Sequence, residues 1–296
     1  MYGSILIPTD GSQATATAIE HGLGLARAYD ATAHAISIID SRTFHLDSFA
    51  TSFEEAVKKE AEEAVESVIE RATAYGVEVV SDVRRGYPSE AILEYADQHD
   101  IDLITMGTHG RTGLERTLLG SVAHRVVRRA RRPVLTARLP TNDAEEAPTS
   151  PAEPTYKNIL LPTDGSKGER RAVEQGLDIA QTFGATVHVL YVVDSRTYTP
   201  YPTGRWQGIE SKLQTQGERA TKRITTQARD AELDVVTSIE EGVPSRTIVD
   251  YASDHDIDLI AMGTRGRSGL DKMLLGSVAE KVVTTAPMPV LTARTR

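Results

Sequence analysis

Two copies of one glycine-rich segment carry most of the information in this sequence. The first reads MGTHGRTGLERTLLGSVA from Met106 to Ala123, and the second reads MGTRGRSGLDKMLLGSVA from Met262 to Ala279. Each segment follows a short apolar run typical of a buried parallel strand and ends where a helical pattern begins. Glycine lets a backbone approach a ligand closely, and free N–H groups at a helix N-terminus favour an anion. The segment therefore predicts a phosphate-binding loop. A plain connector with Ser121 as a helix N-cap fits a single copy equally well.

The repetition extends well beyond these loops. The segment YGSILIPTDGS, Tyr2–Ser12, returns 154 residues later as YKNILLPTDGS, Tyr156–Ser166. Tyr95–Arg138 matches Tyr251–Arg294 at an offset of 156 residues, with 30 of 44 positions identical. A period of this length is that of a complete domain and is too long for a solenoid unit. The chain is therefore a duplication, and the second copy has gained two residues, most simply in the divergent stretch after Asp40 and Asp194.

Length and composition agree with two domains. At roughly 100–200 residues per domain, 296 residues predict about two. We assign them to residues 1–138 and 156–296, joined by a linker, 139–155, that is rich in Pro, Thr, Ala and acidic residues and has no hydrophobic period. Aromatic residues make up only 5% of the chain, so the cores must be built mostly from aliphatic side chains and alanine.

Several classes of function are disfavoured by composition. The net charge of −9 argues against general affinity for nucleic acid, which requires basic patches. The absence of cysteine excludes disulfides and thiolate chemistry. The sequence contains no apolar stretch of about 18 residues and does not begin with the pattern of a signal peptide. We therefore expect a cytoplasmic protein that does not bind membranes.

Strands and helices alternate along the first copy. Apolar runs predict five strands, at 4–8, 32–39, 77–84, 102–107 and 133–138. Helical patterns lie between them at 13–29, 53–75, 88–98 and 121–129. The second copy follows the same pattern. This alternation predicts, for each domain, a doubly wound α/β fold with a five-stranded, mostly parallel sheet and helices on both faces. Periodicity alone does not fix the order of the strands.

The glycine-rich segments resemble the signature Gly-x2-Gly-x9-Gly-Ser of the ATP-binding branch of the universal stress protein family. The PTDGS, GTxGRxG and LLGSVA blocks are also similar to that family, and only the linker falls outside the resemblance. The pattern is neither a Walker A loop nor the dinucleotide-binding fingerprint. The residues that match the signature are Gly107, Gly110, Gly120 and Ser121 in the first copy, and Gly263, Gly266, Gly276 and Ser277 in the second.

The resemblance implies an adenine-nucleotide alpha-hydrolase-like fold with strand order 3-2-1-4-5. It also implies one ATP site per domain. We expect Mg²⁺ to be held mainly by the phosphates, because the sequence shows no cluster of His or carboxylate residues that would form a protein metal site. The sequence also shows no convincing water-activating base with an orienting partner, so no catalytic residue is assigned. By the same resemblance, the end of strand one contacts the ribose and base, the end of strand two holds the adenine, and the loop after strand four holds the ribose and phosphates. The implied positions are Pro8, Thr9, Asp10, Ile38, Met106, Gly107, Gly110, Gly120, Ser121 and Val122 in the first domain. Those in the second are Pro162, Thr163, Asp164, Val192, Met262, Gly263, Gly266, Gly276, Ser277 and Val278.

Some of these positions have an equally plain structural interpretation. Asp10 suits a helix N-cap, and Ile38 alone would be assigned to the core. Arg111 and Arg267 lie within the loops, where they would either pair with a phosphate or be solvated at the surface.

Two further features distinguish the copies. His109 stands where the second copy has Arg265, and we hypothesise that this gives the two sites unequal affinity or pH response. The basic run Arg128–Arg132 has no basic counterpart in the second copy. It is interpreted as a set of cations at a helix C-terminus rather than as a nucleic-acid patch.

The resemblance also bears on assembly and activity. Both copies end in PVLTAR, and in the family this fifth strand makes the dimer, so an intrachain pseudo-dimer is expected, with a further homo-oligomer left open. The favoured function is a nucleotide-dependent regulatory protein of the stress response, and the alternative is a slow ATPase. An adenylating enzyme is disfavoured because its SGG-type loop and HxGH motif are absent, and a purely structural protein because both copies keep their glycines. The motifs do not discriminate ATP from AMP or ADP.

Overall fold

The computed structural model describes residues 1–44, 50–110, 119–139, 154–197, 206–264 and 275–295. The chain divides into two units, Met1–Pro154 and Thr155–Arg296. In the first unit the strands are β1 (Ser4–Pro8), β2 (Thr32–Asp40), β3 (Val79–Gly86), β4 (Leu103–Gly107) and β5 (Val134–Ala137). The helices are α1 (Gln13–Tyr29), α2 (Ala50–Tyr75), α3 (Pro88–Gln98) and α4 (Ser121–Arg129), and a 3₁₀ turn covers Ser41–Phe44.

The five strands of the first unit are all parallel and lie in the order β3-β2-β1-β4-β5. Strand β1 is central, with Ile5 paired to Ala33 on one side and to Leu103 on the other. The adenine-nucleotide alpha-hydrolase-like fold is thus confirmed, and the strand order is the one that the family resemblance implied. Strands β2 and β3 lie on one side of β1, and strands β4 and β5 lie on the other, so the strand order reverses between β1 and β4. Ligands of such folds bind beyond the carboxyl ends of the strands at this point.

The second unit repeats this architecture. Its strands are β6 (Asn158–Thr163), β7 (Thr186–Asp194), β8 (Val235–Gly242), β9 (Leu259–Gly263) and β10 (Val290–Ala293), in the parallel order β8-β7-β6-β9-β10. Its helices are α5 (Arg170–Phe183), α6 (Trp206–Asp230), α7 (Pro244–Asp254) and α8 (Ser277–Thr285), with 3₁₀ turns at Lys167–Glu169 and Ser195–Thr197.

The cores are aliphatic, as the composition predicted. Ile5, Leu6 and Ile7 of β1 are fully buried, and so are their counterparts Ile159, Leu160 and Leu161 of β6. Helix α1 lies very close to the sheet because it places Gly22 against β1 and β4. A β-carbon on Gly22 would come within 2.5 Å of Thr105 Oγ1 and 2.9 Å of Ile7 Cδ1. This close packing fixes α1 above the two strands whose ends form the predicted site.

Most predicted boundaries lie within one residue of those in the structure, α2 begins at Ala50 rather than at residue 53, and β3 and α5 differ for identifiable reasons. Strand β3 begins at Val79 rather than Val77, because the Val77 N–H donates to Ala72 O and so closes the end of α2. Helix α5 begins at Arg170, three residues later than the position equivalent to the start of α1, because a 3₁₀ turn precedes it. Within the described residues, no helix is both long enough and apolar enough to cross a membrane.

Candidate functional site

The turn that follows β1 is built around Asp10. Gly11 takes a φ of 75°, a value that side chains other than glycine rarely adopt. Asp10 Oδ1 accepts hydrogen bonds from the Ser12 N–H at 3.0 Å and from Ser12 Oγ at 2.6 Å. The N-cap residue of α1 is Ser12, so the interpretation of Asp10 as a helix N-cap is wrong. The Asp10 carboxylate closes the turn through Oδ1 instead, and its other oxygen, Oδ2, lies against Gly110 of the loop after β4.

Thr9 and Pro8 hold this turn on the end of the strand. The Thr9 N–H donates to Ile36 O at 2.9 Å, which extends the pairing of β1 with β2. The Thr9 hydroxyl accepts a hydrogen bond from the Gly11 N–H at 3.1 Å. Pro8 is the last residue of β1 and pairs with Ile36. Both residues are buried, so the turn has a rigid base.

The loop after β4 meets this turn directly. A β-carbon on Gly110 would lie 2.6 Å from Asp10 Oδ2, and one on Gly107 would lie 2.6 Å from Ala14 O. Thus the structure brings together the ends of strands one and four, as expected from the strand order. Met106, just before the loop, is 5% exposed and forms part of the floor.

The loop closes onto the start of α4. The Gly120 N–H donates to Thr108 O at 2.8 Å, which ties the two ends of the glycine-rich segment together. Gly120 is the N-cap of α4 and Ser121 is its first residue, so the interpretation of Ser121 as an N-cap is wrong. The first N–H groups of a helix have no acceptor within the helix. Those of Ser121 and Val122 therefore stand at the edge of the sheet where an anion is favoured.

Ile38 lies near the carboxyl end of β2 and is only half-buried, unlike Ile36 before it. Two residues further on, Asp40 accepts two hydrogen bonds from Arg42 Nε, at 3.0 Å and 2.9 Å, and also pairs with its guanidinium end. The hydrogen bonds from Arg42 lower the pKa of Asp40 below its ordinary value. This ion pair was not predicted.

The second unit forms the same ion pair between Asp194 and Arg196 beyond the half-buried Val192. Asp-Ser-Arg-Thr begins at the last residue of the second strand in both copies, and this repeated segment was the sequence signal for the pair.

The second unit arranges its site in the same way. Asp164 Oδ1 accepts from the Ser166 N–H at 2.8 Å, and Gly165 has a φ of 74°. A β-carbon on Gly263 would lie 3.0 Å from Gly168 O. The Gly276 N–H donates to Thr264 O at 2.7 Å, and Gly276 is the N-cap of α8.

The remaining predicted positions of this site follow the first unit. Pro162 and Thr163 end β6, Met262 is buried before the loop, and Ser277 and Val278 begin α8. Gly266 lies outside the described residues.

Comparison with known proteins identifies the family. The model of the universal stress protein family matches residues 1–138 and 155–294. The chain belongs to the universal stress protein family. A universal stress protein of Methanocaldococcus jannaschii is 40% identical over 143 residues, which are 48% of this chain and 84% of that protein. The crystal structure of a universal stress protein from Archaeoglobus fulgidus, 21% identical, covers 99% of both chains with a TM-score of 0.72, which shows the shared tandem fold.

His109 lies within the loop of the first universal stress protein unit. Its Nδ1 is 2.9 Å from Thr108 Oγ1, whereas its Nε2 is buried and has no hydrogen-bond partner among the described residues. The hypothesis that His109 and Arg265 make the two sites unequal stays a prediction, because Arg265 lies outside the described residues. The loop residues Arg111 and Arg267 lie outside them as well.

The basic run of the first unit, Arg128–Arg132, covers the end of α4 and the turn after this helix. Arg129 lies 3.8 Å from Glu90, and Arg132 lies 3.5 Å from Asp100. These two contacts agree with the interpretation of the run as cations at a helix C-terminus. In the part of the chain that the structure describes, no group of three or more His, Asp or Glu side chains is arranged to hold a metal ion.

Proposed function

We propose that each unit of this universal stress protein binds one adenine nucleotide, as ATP with Mg²⁺, and that occupancy regulates the protein's partners in the stress response. The observation that carries the proposal is the contact of Asp10 with Gly110 beside the N-terminus of α4. It joins a carboxylate, a glycine backbone and free helix N–H groups at the carboxyl edge of a parallel sheet. These are the components that a ribose and a chain of phosphates require.

The chemistry of each group suits a part of the nucleotide. Asp10 and Asp164 offer a carboxylate oxygen to the ribose hydroxyls. The backbone of Ile38 and Val192 suits the edge of the adenine, and their half-buried side chains suit its face. Ser121 and Ser277 offer N–H and hydroxyl donors to the phosphates. Mg²⁺ keeps several waters and prefers phosphate oxygens, so the phosphates themselves supply its ligands.

The glycines support the proposal because a side chain on either of two of them would press against backbone atoms. A β-carbon on Gly107 or Gly120 would meet a backbone oxygen at 2.6 Å or 3.0 Å. The backbone of the loop therefore lies directly against the first turn of α1 and against its own start. A plain connector does not need this close approach at the same edge in both units, whereas a nucleotide held by backbone N–H groups does.

A second candidate function is a slow ATPase at the first site, supported by the unpartnered Nε2 of His109. This nitrogen is the one candidate for a general base among the described loop residues of both units, and the second copy has arginine at the equivalent position. Hydrolysis would then be confined to the first unit. The expected cytoplasmic location, further self-association and lack of affinity for nucleic acid stay predictions.

The test begins with the protein purified without added nucleotide. The protein is denatured, and the released small molecules are identified by mass spectrometry. We expect ATP or ADP at up to two per chain, and the change in the ATP:ADP ratio during timed incubation separates the regulatory function from the ATPase. A protein that is empty, and that also fails to bind added ATP with Mg²⁺, would overturn the proposal.

Substitutions assign the binding to each site. Gly120→Val places a side chain against Thr108 O, and Gly276→Val is the equivalent change in the second unit, where the Gly276 N–H donates to Thr264 O. We expect each substitution to abolish binding at its own site. Gly86→Ala is the control, because its β-carbon would meet only Ala91 Cβ, at an ordinary 3.6 Å. If the double variant G120V/G276V still binds two nucleotides, the site assignment is wrong.

A further inference from the structure

Glu169 is a buried acidic side chain directly beneath the second site. It is 3% exposed and ends the 3₁₀ turn that follows β6. Its Oε1 accepts a hydrogen bond from the Thr163 hydroxyl at 2.7 Å, and its Oε2 accepts one from the Asp164 N–H at 3.1 Å. A guanidinium N–H of Arg223, from α6, also donates to Oε1. One carboxylate thus holds the last residue of β6, Thr163, and the residue that follows it, Asp164.

In the first unit, an uncharged side chain lies at the equivalent place beside the end of β1. The residue equivalent to Glu169 is Thr15, whose hydroxyl lies 3.3 Å from Thr9 Oγ1 and donates to Ser12 O at 2.8 Å. The residue equivalent to Arg223 is Ser67, which donates to Ala64 O in its own helix. The ion pair between Glu169 and Arg223 is therefore a feature of the second unit alone.

Glu169 also contacts the start of the phosphate loop. A β-carbon on Gly263 would lie 3.0 Å from Glu169 Cα, so the turn that carries this residue packs against the end of β9. The carboxylate consequently belongs to the junction between the two strand ends at which the nucleotide is proposed to bind.

The two charges of this pair are screened unequally. The Glu169 side chain is 4% exposed, whereas that of Arg223 is 44% exposed, so water weakens the field of the guanidinium more than that of the carboxylate. Burial raises the pKa of Glu169, and the Asp164 carboxylate acts in the same direction. The hydrogen bonds from Thr163 and Asp164 and the charge of Arg223 oppose this rise. Because the guanidinium is partly exposed to water, it compensates the charge of the ionised carboxylate only in part.

We propose that Glu169 is a positioning residue that fixes the end of β6 and, through its charge, makes the second site bind anionic adenine nucleotides more weakly than the first. This inference rests on the proposed function, since it concerns the same site. It gives the protein two thresholds: the first unit fills at low nucleotide concentration and the second at a higher one.

The test measures each site alone by calorimetric titration. The second site is isolated in the G120V chain and the first in the G276V chain, with MgATP and uncharged adenosine as the two probes. We expect MgATP to bind the second site about tenfold more weakly than the first, a difference of ~1.4 kcal/mol. Adenosine should bind both sites within about twofold, because a charge effect requires a charged ligand.

Two variants of Glu169 separate charge from structure. Glu169→Gln removes the charge at nearly constant size, and Glu169→Thr copies the first unit. Each should strengthen MgATP binding at the second site about tenfold and leave adenosine within about twofold. Glu174→Gln is the matched control, because Glu174 lies on α5, pairs with Arg170 and is exposed, so its charge is screened.

The outcomes distinguish this inference from the proposed function. If neither isolated site binds MgATP, the proposed function fails. If both sites bind it equally and the two Glu169 variants change nothing, the inference fails and the function stands. An equal loss of adenosine and MgATP binding in both variants would show a purely structural residue, and it would likewise overturn the inference.

Discussion

The carboxylate of Asp10 lies against Gly110, and a β-carbon on Gly110 would come within 2.6 Å of Asp10 Oδ2. The two residues are separated by 100 positions in the sequence and meet because β1 and β4 are neighbours in the sheet. The other carboxylate oxygen, Oδ1, is held by the N–H and hydroxyl of Ser12. These two hydrogen bonds place the side chain of Asp10 beside the loop.

This contact predicts that Gly110→Ala impairs the first site without unfolding the unit. The methyl group must displace the Asp10 carboxylate, which is the end of a side chain rather than backbone, so the cost to stability should stay below about 1 kcal/mol. We expect the affinity of the first site for MgATP to fall about tenfold. The measurement is calorimetric titration of the G110A/G276V chain against the G276V chain.

A double-mutant cycle tests whether Asp10 transmits this effect. In the D10A background the clash is absent, so adding G110A should change MgATP affinity by less than about twofold. Full additivity of the two substitutions would show that Gly110 acts independently of Asp10.

Gly107 should respond differently, because its missing side chain faces backbone. A β-carbon there would lie 2.6 Å from Ala14 O and 3.1 Å from His109 O, and neither oxygen moves without its chain. We expect Gly107→Ala to lower the free energy of unfolding by roughly 1–3 kcal/mol, the usual cost of overpacking. Urea denaturation measures this loss. In the same assay Gly86→Ala, with ordinary contacts only, should be neutral or stabilising by up to about 1 kcal/mol.

Gly22→Ala sets helix propensity against packing. Alanine favours a helix interior over glycine by about 1 kcal/mol, but the new methyl group would lie 2.5 Å from Thr105 Oγ1. Because α1 has to move away from the sheet, we expect a net destabilisation of roughly 1–2 kcal/mol in urea denaturation. The second unit has Ala261 in place of Thr105, so the G22A/T105A chain should recover part of the loss. A stabilised single variant would mean that α1 lies further from β4 than the structure indicates.

The elements that sequence predicted without error are those with strong local signals. Helices 13–29, 88–98 and 121–129 and strand 4–8 have the predicted limits. Pro88 opens one of these helices, and turn residues precede the other two, so neighbours in sequence define the boundaries. The family resemblance supplied the strand order, and with it the meeting of Asp10 and Gly110.

Features that depend on contacts distant in sequence were missed. The late start of α5 belongs to a turn in which Glu169 reaches Thr163 and Arg223, and the latter is 54 residues away. A helical pattern in the sequence contains no information on that contact. Likewise, the N-cap roles assigned to Asp10 and Ser121 failed because residue preference alone does not say at which position a helix begins.

The pH dependence of stability provides a last prediction, centred on His21 of α1. Burial lowers the pKa of His21 from 6.5 to about 4. Between these values the unfolded chain binds a proton that the folded chain does not, so stability falls as the pH drops from about 7 to about 4. At 1.36 kcal/mol per pKa unit, His21 accounts for at most about 3 kcal/mol of this loss. Burial also lowers the pKa values of His34 and His188, which act in the same direction.

His21→Gln isolates the contribution of this one imidazole. The second unit has Gln175 at the equivalent position, where it is 7% exposed, so the fold accepts glutamine there. Between pH 7 and pH 4.5, we expect the free energy of unfolding of the wild type to fall by roughly 2–3 kcal/mol more than that of H21Q. Urea midpoints at half-unit pH steps provide the measurement. Parallel curves for the two proteins would show that His21 is protonated equally in the folded and unfolded chains, and the acid sensitivity would then belong to other groups.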